Sequence, residues 1–351
     1  MGGLSRKAAL LKQISASADK PVLRIDGGAL LFEQPVIPPT LLPTRMILAR
    51  GISQAVQTMH YAAIGVAPQD LTAGVDFLLQ QGREQKLPWL SANLTDQNGK
   101  RLLEPFLLTK AGTTSVAIIG LTGEAAAAPG GQTGSEYRIR PWPEVLPETL
   151  AQVKGQEFVI LLSSYPEPVN RQIADKFPEI QLIIQSGTFT ANKTPELVGN
   201  TLITQVAARG KYLGRLDINW RPGHHWSRGP ALAAQLRQAK DNLARIDGRL
   251  NRLAQQPGQQ ELPKNSEYPQ LKNERERLTA LIAGLEQSAS GSQEGLSTYT
   301  STLIPMQVSL PEDPEVQKIV QQTKQAIRGG GQQKREGTQQ QPGRPPEGKK
   351  P

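Results

Sequence analysis

Cysteine is absent from this 351-residue chain, and histidine occurs only three times, at His60, His224 and His225. The first absence excludes disulfides, thiolate metal ligands, a cysteine nucleophile and C-x-x-C-H haem attachment. The second removes most histidine-based catalysis and metal binding before any motif is sought. Aromatic residues make up only 5% of the chain, so a net charge of +9 meets few platforms on which bases could stack. The cations alternate with acids, as in Glu274-Arg275-Glu276-Arg277. They read as solvated helix faces and a basic tail, and nucleic acid is not an expected partner. No apolar run approaches the roughly 18 residues of a membrane span. The opening residues carry basic side chains but no apolar stretch followed by a small-residue cleavage site, so no signal peptide is expected.

What is present changes character along the chain. Short apolar, β-branched runs at Pro21–Ile25, Leu90–Asn93, Val116–Leu121, Phe158–Ser163, Leu182–Gln185 and Leu202–Val206 read as buried strands. Between them, Arg45–His60 and Pro147–Lys154 have apolar positions at helical spacing. This alternation predicts an α/β fold. Tyr212–Trp220 alternates apolar and polar residues, the pattern of an antiparallel strand with one wet face. Layered, mixed sheets are therefore expected in place of a purely parallel one.

Near residue 229 the pattern becomes a heptad: Leu232, Leu236, Ala239, Leu243, Ile246, Leu250 and Leu253 recur at steps of four and three. After a Pro/Gly/Gln-rich break, Leu271, Leu278, Ile282 and Leu285 form a second stripe. Two narrow stripes joined by a polar loop predict an antiparallel helical hairpin whose faces cover one another. Docking of a protein partner on it is the second use considered. Ser301–Leu310 reads as a returning strand, and Pro311-Glu312-Asp313-Pro314 opens a helix. The expected organisation is a sheet domain over 1–228, the hairpin over 229–290, a returning strand and helix over 291–328, and a disordered tail over 329–351.

The order of short motifs adds to this reading. "GGLSRKAALLKQI" at Gly2, "PVLRIDGGALLF" at Pro21 and "MHYAAIGVAPQDLTAG" at Met59 are followed by "LPWLSANL", "VAIIGLTG", "VILLSSY", "QLIIQSGTF" and "VGNTLITQVAARGKYLGRLDI". In this order, over roughly residues 1–220, they resemble the N-terminal domain of the 5′-nucleotidase and UDP-sugar hydrolase family. That family belongs to the calcineurin-like metallophosphoesterase superfamily. The resemblance implies a layered αββα sandwich with an appended hairpin, and in active members two metals about 3.5–4 Å apart that activate water and neutralise phosphate. It also implies a periplasmic or extracellular location. The hairpin and the helix after it are similar to the connecting region of longer relatives that continue into a multihaem cytochrome region.

Carried over position by position, the resemblance implies that the metal ligands are gone. The bridging Asp of D-x-G-D falls on Ala29, the Asn and His of G-N-H-E on Pro68 and Gln69, the His ending the L-L-S-H strand on Ser164, and the G-H-x-H loop on Gly187 and Phe189. The family's Asp-x-His motif, with its first core strand, has no counterpart. Asp26 and Asp70 are the acids remaining on these loops. Asp26 falls on the first acid of its loop and not on the bridging ligand, and Asp70 on an acidic place that is not itself a ligand. Capping or turn roles are weighed above use as an acid–base pair. No metal site, catalytic residue or cofactor follows.

Other candidates read as structural. Adjacent His224 and His225 face opposite ways in extended chain, and His60 suits a helix C-terminus. Ser163 and Ser164 lack a nucleophile elbow. Asn93 and Asn192 begin glycosylation sequons. The expectation is a non-catalytic protein acting in binding or assembly, with a phosphorylated small molecule as a candidate ligand. The alternative is an active phosphoester hydrolase with an atypical ligand set.

Overall fold

A computed structural model describes residues 3–124, 137–187, 192–207, 210–223, 225–227, 229–254, 267–289 and 296–339. Helix α1 (Leu4–Ser17) leads to β1 (Ile25–Asp26), and α2 (Leu42–Gln57) precedes β2 (Ala63–Gly65). A 3-10 turn (Pro68–Leu71) and α3 (Val75–Gln85) are followed by β3 (Trp89–Leu90), β4 (Leu94–Thr95), β5 (Phe106–Ala111), β6 (Thr114–Leu121) and β7 (Arg138–Ile139). Then come α4 (Trp142–Gln152), β8 (Phe158–Ser163), α5 (Glu167–Lys176), β9 (Leu182–Gln185), β10 (Lys193–Val198), β11 (Thr201–Gln205) and β12 (Tyr212–Asn219). Helices α6 (Gly229–Ala254) and α7 (Glu267–Ala289), β13 (Thr298–Pro305) and α8 (Pro314–Gln339) complete the described chain.

The larger sheet has the strand order β10-β11-β9-β8-β6-β5. Its four central strands are parallel and both edges are antiparallel. Continuous apolar runs explain the centre: all six residues of β8 are buried, as a strand covered on both faces requires. A smaller parallel sheet, β1-β2-β3, faces it. Ala63 and Leu90 from that sheet meet Val116, Ile118, Ile160 and Leu162 to form the core between the sheets. Helices α4 and α5 cover the far side of the larger sheet through Val145, Leu146, Leu150 and Ile173. On the smaller sheet's side, α2 and α3 bury Ala49, Val56, Val75 and Leu78. The result is a layered αββα sandwich of mixed sheets.

The chain after the hairpin returns to this body. Strand β13 pairs antiparallel with β12 along its whole length, from Tyr212↔Pro305 to Asn219↔Thr298. Helix α8 packs Val316 and Val320 against Ala8 and Leu11 of α1 and Ala55 of α2. Asp313 caps α8, accepting from the Val316 amide at 3.1 Å, and pairs with Lys12 of α1 at 2.6 Å. In the hairpin, Lys240–Glu286 and Asp247–Arg275 ion pairs, each 2.7 Å, show that α6 and α7 run antiparallel. Leu236, Ala239, Leu243, Ile246, Leu250 and Leu253 share the less exposed face of α6.

Several limits differ from those read in the sequence. Of the expected strand Pro21–Ile25, only Ile25 pairs, together with Asp26. The strand expected over Ser301–Leu310 lies three residues earlier and ends at Pro305. Helix α8 continues to Gln339, past the limit expected at 328. The extension passes through Gly329, Gly330 and Gly331 against their low helix propensity. Residues 340–351 lie outside the described residues.

Candidate functional site

Parallel strands bring the loops that follow β1, β2, β6, β8 and β9 to one end of the sandwich. The positions singled out by motif order, except Phe189 and His224 outside the described residues, can be placed on this frame. These loops are tied directly to one another. Asp70 is fully buried, and its carboxylate accepts four backbone N–H groups: Ala29 (2.8 Å) and Ala67 (3.0 Å) on Oδ2, Leu30 (2.7 Å) and Leu31 (2.9 Å) on Oδ1. It clamps the loop after β1 to the loop after β2. Burial pushes this carboxyl up to about 6, against the opposing pull of the four amides.

Asp26 is equally committed. Its Oδ1 accepts from the Gly28 amide at 3.1 Å, and its Oδ2 lies 3.4 Å from the Lys7 ammonium on α1. Burial alone would lower the Lys7 ammonium, but Tyr61 and Asp26 reverse this and hold it well above its usual value. Asp26 and Asp70 therefore serve separate partners and form no acid–base pair.

Ser164 Oγ accepts from the Gly123 amide at 2.8 Å and donates to the Val66 carbonyl at 3.1 Å, joining three strand ends. Ala29 offers only a methyl group and sits at φ 59, a left-handed conformation that most side chains avoid. Gly28, at φ +107, lets the backbone pass where a Cβ would come 2.8 Å from the Gly65 carbonyl oxygen. Gln69 is 5% exposed, and its Oε1 has no partner among the described residues. Gly187 carries no ligand atom.

Below these loops lies a buried polar network that motif order did not reveal. Ser163 Oγ donates to Asn170 Oδ1 (2.7 Å), Asn170 Nδ2 to Gln185 Oε1 (2.9 Å), and Gln185 Nε2 to Gln205 Oε1 (2.9 Å). Asn93 bonds the Thr122 backbone in both directions, at 2.7 and 2.8 Å. Its sequon is thus turned into the core, while Asn192 Oδ1 accepts from the Ala207 amide. The available signal was polar residues at the ends of otherwise apolar strands. His225 is exposed in the segment before the hairpin, and His60 lies beyond the end of α2 at φ 50.

The two facing sheets with helices outside, and the loop cluster at the strand ends, define the metallophosphoesterase class of fold. Comparison with solved structures bears this out. Sulfate thiohydrolase SoxB from Thermus thermophilus, in complex with glycerol, matches with a TM-score of 0.60 at 16% identity over 91% of this chain and 46% of that one. A 5′-nucleotidase precursor, also from Thermus thermophilus, matches with a TM-score of 0.60 at 15% identity over 93% and 53%. The calcineurin-like phosphoesterase YfkN from Bacillus subtilis matches at 0.55 and 14% identity over 92% and 89%. In sequence, a 5′-nucleotidase of Vibrio cholerae is 24% identical over 261 residues, 63% of this chain and 45% of that protein. No family model matches the chain. The chain has the calcineurin-like metallophosphoesterase fold, in the form that 5′-nucleotidases carry. It spans about half the length of the first relatives it matches, 45% to 53% of each.

The two-metal centre implied by that fold does not fit the residues present. A pair of divalent ions needs carboxylate, imidazole or amide ligands with free lone pairs converging on one point. Here Ala29, Pro68 and Gly187 bring no side-chain ligand atom, Asp26 is paired with an ammonium, and Ser164 Oγ is engaged by two backbone groups. Gln69 Oε1 is a single free amide oxygen among the described residues, where two ions need several ligands. Among the described residues, no three His, Asp or Glu side chains come together as a metal site. None of their helices is long and apolar enough to cross a membrane.

Proposed function

We propose that this chain is a non-catalytic metallophosphoesterase-like protein that acts in binding or assembly. The observation that carries the reading is the residue set at the ligand positions: Ala29, Pro68 and Gly187 bring no side-chain ligand atom, and Ser164 Oγ is engaged between the Gly123 amide and the Val66 carbonyl. Asp70, at the acidic but non-ligating place of its loop, is engaged with four backbone amides and offers no replacement ligand. The hairpin supports a scaffolding role, because two long helices extend the body and offer a surface for a protein partner. A periplasmic or extracellular location fits a chain whose Thermus relative is described as a precursor.

The test is metal content. The purified full chain is incubated with manganese, zinc and magnesium, freed of excess ion, and assayed against AMP and a UDP-sugar. No retained ion and no hydrolysis are expected. About two tightly held ions per chain, with hydrolysis lost on chelation, would overturn the proposal and make the protein an active hydrolase.

A further inference from the structure

At the other end of the smaller sheet, before β1 and β2 begin, lies an open surface depression of about 400 Å³ lined by Ser15, Lys20, Val22, Arg24, His60 and Ala62, of which Lys20, Val22 and His60 are exposed. Three of these six residues are basic and none is acidic. Arg24 is held rigidly: Nη1 donates to the Met59 carbonyl at 2.7 Å, and Nε and Nη2 donate to Ser15 Oγ at 3.3 and 2.7 Å. Three of the five guanidinium N–H groups are thereby used, leaving two free to donate. His60 is fixed by its left-handed backbone and by its amide bond to the Gln57 carbonyl at 3.3 Å. The Lys20 ammonium has no ion-pair partner among the described residues.

Two helices end nearby, α1 at Ser17 and α2 at Gln57, and the negative ends of their dipoles answer part of this charge. Each contributes about half an elementary charge. The pair therefore offsets roughly one of the two permanent cations of the lining, Lys20 and Arg24, while Asp19, the neighbour of Lys20, stands outside the lining. Val22 and Ala62 supply an apolar wall beside the cations.

From this geometry we propose that the depression binds a small phosphate monoester. The phosphate oxygens would lie between Lys20, Arg24 and His60, and the organic portion against Val22 and Ala62. A phosphate monoester offers three terminal oxygens and up to two charges to these cations, against two oxygens and one charge for a carboxylate. The volume lies within the range of small-molecule sites. The site lies away from the loops that carry the fold's metal positions, so it stands whether or not those loops are inert.

The test is an NMR titration of the full chain with inorganic phosphate and phenyl phosphate at constant ionic strength, with acetate as control. The expected result is a saturable shift of the amides around Lys20, Arg24 and His60, stronger for phenyl phosphate than for acetate. Lys20→Ala and His60→Ala change exposed side chains, and each should weaken binding about tenfold with an unchanged melting temperature. Vesicles containing phosphatidate present the same group on a membrane. Competition between them and phenyl phosphate would support the site and identify a headgroup as a second source. The proposal is overturned if phosphate produces no saturable shift, if acetate binds as well, or if Lys20→Glu/His60→Glu leaves the titration unchanged.

Discussion

Replacing Asp70 with alanine asks whether the acid on the former ligand loop is a clamp. The substitution removes the acceptor of four backbone N–H groups that join residues 29–31 to Ala67. A buried amide left without an acceptor costs about 1–3 kcal/mol, so the gross loss is several kcal/mol before water enters or the loops relax. An opposing gain comes from no longer burying a charge. The rise of the carboxyl from 3.8 to about 6, the net of burial against the four amides, disfavours the ionised form by roughly 3 kcal/mol and offsets part of that loss. The net expectation is a loss of a few kcal/mol at pH 7, on the order of one to two unsatisfied buried amides.

The pH dependence carries a second signature. Folded Asp70 keeps its proton to about pH 6, whereas an unfolded aspartate releases it near 3.8. Between these values the folded chain binds more protons, so Asp70 makes stability fall as pH rises through that window and contributes no further slope above it. Urea denaturation of wild type and Asp70→Ala from pH 4 to pH 7, followed by fluorescence of the four tryptophans, measures both effects. A cost below about 1 kcal/mol at pH 7 would refute the clamp. A wild-type advantage that grows between pH 4 and pH 6 would refute the dominance of burial over the four amides.

Two smaller perturbations test the packing around this frame. Ala29→Gly relieves a left-handed backbone costing about 1–2 kcal/mol, less about 0.5–1 kcal/mol for glycine's freedom when unfolded. It should therefore raise stability by up to about 1 kcal/mol in the same denaturation assay, and a loss would show that Ala29 is not strained. Gly51→Ala places a Cβ 2.1 Å from Thr323 Oγ1 and 2.9 Å from its Cβ where α2 crosses α8. A loss of about 1–3 kcal/mol is expected, with part of it recovered in the Gly51→Ala/Thr323→Ala double variant. Strict additivity of the two changes would place the clash elsewhere.

The legible parts of the fold were those written in local pattern. Val116–Leu121, Phe158–Ser163 and Leu182–Gln185 are continuous apolar runs, and all three appear as central strands at nearly the stated limits. The heptad stripe of α6 was equally plain, because its period needs no knowledge of the partner. Edge strands β5 and β10 were not singled out: Phe106–Ala111 is only partly buried, and Lys193–Val198 contains a proline. Helix α5 also escaped, since two prolines flank Glu167 at its start and only a narrow face is buried. At the site, the motif positions could be placed in order, but the orientation of Asp70 could not. Its four donors lie up to 41 residues away, and nothing local distinguishes an acid turned inward from one offered to an ion.

Metal ions in a site of this fold do structural as well as chemical work, because ions shared between strand-end loops contribute folding free energy. On the proposed non-catalytic reading the same loops are held by other means, namely hydrogen bonds among the residues found here. Asp70 ties the loop after β1 to the loop after β2, and Ser164 ties the loops after β2, β6 and β8. Gly28 allows the first two to approach until no room for a side chain remains between them. These contacts hold the loops without drawing on a side chain at Ala29, Pro68 or Gly187. The substitutions at Ala29, Pro68 and Ser164 are in this sense mutually consistent. Restoring one ligand, as in Ala29→Asp, would add a carboxylate to loops already closed by hydrogen bonds, and should not restore a metal centre.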